Sequence, residues 1–241
     1  MNGPVLGVIG GLGPLATANF MEQVARMTLA PREQEGVDMI VYNFPSIPDR
    51  TGYILGSNLR SPYPGLLWAG RELDRQQVCA IAIPCVTAHF FHEDLSRELS
   101  CPVIHDIRAT AAYLKERGVG SVGILASDGT VQSGLFTQEL LPLGIRPILP
   151  DVQGQQDVTH LIYRNIKAGL PAELDRFRRV EQSLRRRGAE VIVLGSTELS
   201  VLAREQPLGP GFLDVSRILA RESILHCGKD LRPEFRELIS A

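Results

Sequence analysis

The chain reads as an α/β protein of two pseudo-symmetric Rossmann-like lobes, each a mainly parallel sheet flanked by helices, with a functional cleft between them. Three observations predict this. Short apolar runs rich in β-branched residues recur along the 241 residues, each followed by a turn and a helix-length segment. Such runs suit strands buried on both faces, and their alternation with helices implies parallel sheets. The pattern then repeats. LGVIGGLGPLAT from Leu6 resembles VGILASDGTVQS from Val122, and AIAIPCVTAHFF from Ala80 resembles VIVLGSTELSVL from Val191, each pair separated by roughly 110 to 120 residues. Open α/β sheets bind ligands beyond the carboxyl ends of their strands. Two facing lobes would therefore bring both strand–turn–helix corners to one cleft.

The elements follow in order. VLGVIG is the first strand, and its helix begins at Pro14, where the missing N–H is no loss. MIVYNF is the second strand, with a helix from Pro62; AIAIP is the third, with a helix from Val86; PVIHD is the fourth, with a helix from Ile107. SVGILA opens the second lobe and leads to a helix from Gly129. RPILP is a weaker strand, followed by helices from Asp157 and Pro171. VIVLG precedes a helix from Thr197, and FLDV is the last weak strand. The expected crossover near Ile107 assigns 1–107 and 215–241 to the first lobe and 108–214 to the second, with the helical tail after Asp214 packing back on the first.

Composition narrows the function. Hydrophobic residues make up 44% and charged residues 22%, and the net charge is −2, so no basic surface for nucleic acid is expected. The one cationic run, Arg185–Gly188, suits a helix C-terminus. VLGVIGG is too short and too glycine-rich for a secretory leader, and no apolar run approaches the about 18 residues of a membrane span. The four cysteines (Cys79, Cys85, Cys101, Cys227) lack C-x-x-C spacing, so a metal knuckle is not expected. They read as free thiols of a cytoplasmic protein.

Two motifs invite chemistry. GLGPLA satisfies the G-x-G-x-x-A spacing of a dinucleotide fingerprint, but the second strand ends in Asn43 and Phe44 rather than the acidic residue that would hold a ribose. A tight turn is the better reading, with N–H groups around Gly13 free to bind a carboxylate. Cys85 follows Pro84 at a strand end and precedes a helix, where the helix N-terminus favours a thiolate. Thr87 and His89 lie within one turn of it.

Together these stretches resemble the aspartate/glutamate racemases, and the similarity spans nearly the whole chain. GGLGPLAT is similar to their GGMGPLAT, SIPDRT matches SIPDRT, PCVTAH is close to PCNTAH, and LGSTEL is close to LGCTEL; IKAG and GTVQSG match as well. The resemblance implies a cofactor-free racemase of an acidic amino acid, expected to be a homodimer. In such an enzyme one cysteine from each lobe takes or returns the α-proton on opposite faces of a planar carbanion. Hydrogen-bond donors must then stabilise the developing charge. Carried over by position, Cys85 is the first catalytic cysteine. Arg50 and Lys167 grip the side-chain carboxylate, while Thr87, Thr130, Ser133 and Thr197 line the cleft. Without the resemblance, Arg50 would read as a surface ion pair with Asp49, and Lys167 as a solvated helix end.

The sequence departs from the family twice. Ser196 replaces the second catalytic cysteine, and Val86 replaces the asparagine after the first. A hydroxyl, with a pKa roughly in the teens against about 8.5 for a thiol, is no useful base without a helper. A lopsided racemase, a single-thiol decarboxylase or isomerase of the wider superfamily, and a catalytically silent binder of acidic metabolites all remain open. So does an introduced Cys→Ser exchange, which would not account for Val86.

Overall fold

A computed structural model describes residues 3–241. Its first sheet holds three parallel strands: β1 (Val5–Gly10) in the centre, β2 (Asp38–Asn43) on one side and β3 (Ala80–Ala82) on the other. The second sheet holds β4 (Ser121–Ala126) beside β5 (Arg146–Ile148), then β6 (Val191–Gly195) and β7 (Phe212–Asp214) at the far edge, again all parallel. β1 and β4 are buried along their whole length, as near-continuous apolar strands covered on both faces must be.

Helices cover both sheets. In the first lobe these are α1 (Pro14–Met27), α2 (Arg50–Ile54), α3 (Tyr63–Arg75), α4 (His92–Glu98) and α5 (Asp106–Glu116). In the second they are α6 (Asp128–Gln132), α7 (Leu135–Leu140), α8 (Val152–His160), α9 (Leu174–Arg186) and α10 (Thr197–Glu205), followed by α11 (Val215–His226). Both lobes wind alike. PVIHD contributes a single parallel bridge, Val103 to Ile81, so the first sheet runs second, first, third, fourth in chain order, as the second sheet does. Two helices pack across the junction: α11 lies on α1 and β3, while α5 lies on α7 and α11. One apolar core runs through both, joining Leu6 and Val8 of β1 to Ile124 of β4 and to Ile218, Leu219 and Ile224 of α11. Each of those three α11 side chains contributes about 1.5–3 kcal/mol by burial.

Four expectations need correction. PVIHD is a bridge rather than a strand run, because Pro102 has no N–H for a ladder and the chain enters α5 at Asp106. After Cys85 the chain forms a 3-10 helix over Val86–Phe91 before α4 begins. α8 begins at Val152, not Asp157, because the Asp151 carboxylate accepts the Gly154 N–H and caps it there. Asp157 is instead a buried acid held by Arg176 at 2.6 Å and Arg179 at 3.2 Å. α9 begins at Leu174, three residues after Pro171, and ends with the expected arginines.

The glycine turn after β1 also has a steric cause. Gly11 has φ +87°, and a Cβ there would collide with the backbone of Phe44. Only glycine fits.

Candidate active site

Both corners singled out in the sequence open onto one small cavity. Cys85 comes off β3 and caps the 3-10 turn; Ser196 comes off β6 and caps α10. Each residue is 5% exposed. The cavity is lined from the first lobe by Leu12, Asp49, Arg50, Thr51, Val86 and Thr87, and from the second by Ser127, Ile162, Tyr163, Lys167, Thr197 and Glu198. It holds about 10 Å³. A second cavity of about 470 Å³ adjoins it, sharing Leu12, Asp49, Arg50, Lys167 and Glu198, and reaching Gly13, Ile47, Ile166 and Val201. Gly13 caps α1 there with open space where a Cβ would stand.

Arg50 is no surface residue. Only 7% exposed, it donates from one terminal nitrogen to Leu12 O at 2.6 Å and from the other to Pro48 O at 3.2 Å. It thereby ties the turn after β1 to the loop before α2. Its Nε is buried with no hydrogen-bond partner among the described residues. Burial opposes its charge, but the Cys85 sulfur beside it outweighs that cost, with help from Asp49 and Glu198, and the guanidinium is held above its ordinary value.

Lys167 ends a π-helix, Leu161–Ile166, and its N–H donates to Ile162 O five residues back. π segments inside helices mark functional sites. This one sends Ile162, Tyr163 and Lys167 to the same cavity. The Lys167 ammonium lies 4.4 Å from the centre of the Tyr163 ring, 3.7 Å from a Glu198 oxygen and 3.9 Å from Asp49. Burial disfavours its charge, yet Glu198, Tyr163, Cys85 and Asp49 together raise it above the usual lysine value. Burial also pushes the Tyr163 phenol up.

A chain of hydroxyls crosses the lobe junction. Thr51 donates to Ser127 at 3.3 Å, Thr87 and Ser127 share a bond of 2.9 Å, and Thr87 meets Thr130 at 2.9 Å. Thr130 therefore stands behind Thr87 rather than on the cavity wall, and Ser133, donating to Thr130 O at 3.1 Å, stands further back. His89 is not on the cavity wall. Its ring sits under the turn, 3.3 Å from the Cys85 carbonyl and 3.2 Å from that of Ile104, and braces the loop.

Sequence reasoning missed Asp49, Thr51, Ser127, Tyr163 and Glu198. Asp49 and Thr51 flank Arg50 in SIPDRT, and Glu198 lies two residues beyond Ser196 in LGSTEL, so adjacency was a signal for three of them. Tyr163 had none. Among the described residues no cluster of three His, Cys, Asp or Glu side chains is arranged for a metal ion, and no helix is long and apolar enough to cross a membrane.

Known proteins share this architecture. An aspartate racemase from Picrophilus torridus superposes with a TM-score of 0.81 at 28% identity, over 97% of this chain and 98% of its own. A glutamate racemase from Francisella tularensis, solved with D-glutamate, shares the fold at a TM-score of 0.65 and 16% identity, over 92% of this chain and 80% of its own. A broad-specificity amino-acid racemase of Bacillus subtilis is 24% identical over 227 residues, 91% of this chain and 96% of that protein. The Asp/Glu/hydantoin racemase family model matches residues 9–222, spanning the Cys85 and Ser196 corners of both lobes, and the chain belongs to that family of enzymes.

Proposed function

We propose that the protein interconverts the enantiomers of an acidic amino acid, aspartate or glutamate, by removing and returning the α-proton without a cofactor. One observation carries the reading: Cys85 of one lobe and Ser196 of the other line a single cavity together with Arg50 and Lys167. In one direction the Cys85 thiolate takes the α-proton; the C–H bond breaks, an S–H bond forms, and the electron pair spreads into the substrate's α-carboxylate. A proton then reaches the opposite face from the Ser196 side. Thr87, Ser127 and Thr197 hold the amino-acid end, with Thr130 and Ser133 supporting Thr87, and Arg50 with Lys167 holds the distal carboxylate. Gly13 shapes the adjoining space.

The 10 Å³ cavity has room for about one water-sized centre, and the adjoining 470 Å³ cavity shares Arg50 and Lys167 with it. Homodimeric assembly and a cytoplasmic setting complete the proposal and rest on the sequence. The hydroxyl at position 196 is a far weaker acid than the thiol opposite, so the proton step on that face is the slower of the two.

The test is α-deuterium incorporation in D₂O, followed by NMR, with D- and L-aspartate and D- and L-glutamate supplied separately. Exchange from both enantiomers with inversion is expected. Exchange from one enantiomer without inversion would instead indicate a single-thiol decarboxylase or isomerase. No exchange, with binding indifferent to Cys85→Ala, would leave a binder of acidic metabolites.

A further inference from the structure

We infer that Glu198 supplies the acid–base capacity lost with the second thiol, acting through Ser196 as a serine–glutamate pair oriented by Lys167. The inference rests on the racemase reading above. Ser196 is the N-cap of α10, where serine ordinarily turns its oxygen back to accept an N–H of the first turn. It makes no such bond here. Its hydroxyl donates instead to Glu198 Oε2 at 2.7 Å. The other carboxylate oxygen, Oε1, faces Lys167 Nζ at 3.7 Å, and the Glu198 side chain is only 12% exposed. A hydroxyl bonded to a base that a third group orients is the arrangement that activates a weak side chain. Oε1 of Glu198 thus faces the lysine, while Oε2 accepts from Ser196 and, at 3.5 Å, from Thr197.

The protons balance without a free alkoxide. When the substrate's α-hydrogen faces Ser196, Oγ takes it while the serine's own proton passes to Glu198, leaving neutral serine, neutral glutamic acid and a carbanion. The Cys85 thiol then protonates the opposite face and remains as thiolate. In reverse, the Cys85 thiolate takes the α-proton, Ser196 gives its hydroxyl proton to the carbanion, and the Glu198 carboxyl replaces it. Before and after each turnover Cys85 and Glu198 hold one proton between them, and while the carbanion lasts both are protonated.

The test compares Glu198→Gln in the unsubstituted Ser196 background and in the Ser196→Cys background, measuring D₂O exchange separately for each enantiomer. A positioned acid–base group contributes about 10²–10⁴-fold. With Ser196 present, Glu198→Gln should lower exchange of the enantiomer whose α-hydrogen faces Ser196 at least about 100-fold, and inversion equally. The other enantiomer, served by Cys85, should lose less than about tenfold in exchange. In the Ser196→Cys background, the same Glu198→Gln change should cost less than about tenfold for either enantiomer, because a thiol carries its own acidity. An equal loss for both enantiomers, an equal loss in both backgrounds, or no loss would overturn the pair while leaving the racemase reading intact. Absence of any exchange in the unsubstituted protein would overturn that reading, and the pair with it.

Discussion

Arg50 illustrates how much one side chain decides. Its two terminal nitrogens bond backbone carbonyls of Leu12 and Pro48, on two different connections of the first lobe, while its charge sits beside the Cys85 sulfur. A lysine keeps the charge but has one nitrogen on a flexible stem and cannot span both carbonyls. Arg50→Lys should therefore destabilise the fold by about 1–3 kcal/mol, the cost of leaving a buried acceptor unpaired. It should also raise KM at least about tenfold, the equivalent of one lost charge-assisted bond. Urea unfolding and steady-state kinetics check both, and a variant with unchanged stability would show that the carbonyl contacts are idle. Val86 acts at the same scale in the opposite sense. It is 3% exposed, packs into the core with Ile104 and Ile107, and presents an alkyl face to the cavity.

At the scale of elements, α5 is tuned by its cap. His105 precedes it and accepts the Arg108 N–H on Nδ1 at 3.2 Å, a bond only the neutral imidazole can make. Burial, followed by the nearby charges of His89, His92 and Arg108, pushes His105 down to about 2. An unfolded histidine protonates near 6.5. Between those values the unfolded chain takes up a proton that the folded one refuses, so this residue makes stability fall as pH falls below about 6.5. His105→Asn keeps an acceptor for the cap without the titration. It should lose less stability than the parent between pH 7 and pH 5, by about 2 kcal/mol at about 1.4 kcal/mol per pH unit. Parallel acid slopes in urea titrations would refute the assignment. The π segment shows the converse case. Nothing in LIYRNI announces an i to i−5 bond, yet that widened turn brings both Tyr163 and Lys167 to the cavity.

Across the whole molecule the lobes touch tightly where α2 faces α6. A Cβ on Gly129 would lie 2.9 Å from the Thr51 backbone Cα, so no side chain can enter without moving one helix. Gly129→Ala should push the lobes apart, cost about 1–3 kcal/mol by overpacking, and slow turnover by stretching the Thr51–Ser127–Thr87 hydroxyl chain. Equal unfolding midpoints and equal kcat for parent and variant would rule out that tight contact. The repeat at this scale was legible early, because strand–turn–helix corners are local and each lobe carries its own copy. The details that failed were those that an apolar pattern alone does not carry. PVIHD had the composition of a strand but room for only one bridge, and the actual start of α8 depended on the Asp151 cap rather than on its apolar pattern.

By itself the sequence determined the α/β class, the doubled architecture, the family and the two corners that carry Cys85 and Ser196. Each is written in short stretches whose apolar period, glycine and proline positions act locally. Only the tertiary structure decided that Arg50 is buried against backbone carbonyls, that Tyr163 enters the site, and that Glu198 meets Ser196 and Lys167 at once. Those facts depend on groups from separate elements sharing one desolvated cavity, and no periodicity encodes that meeting.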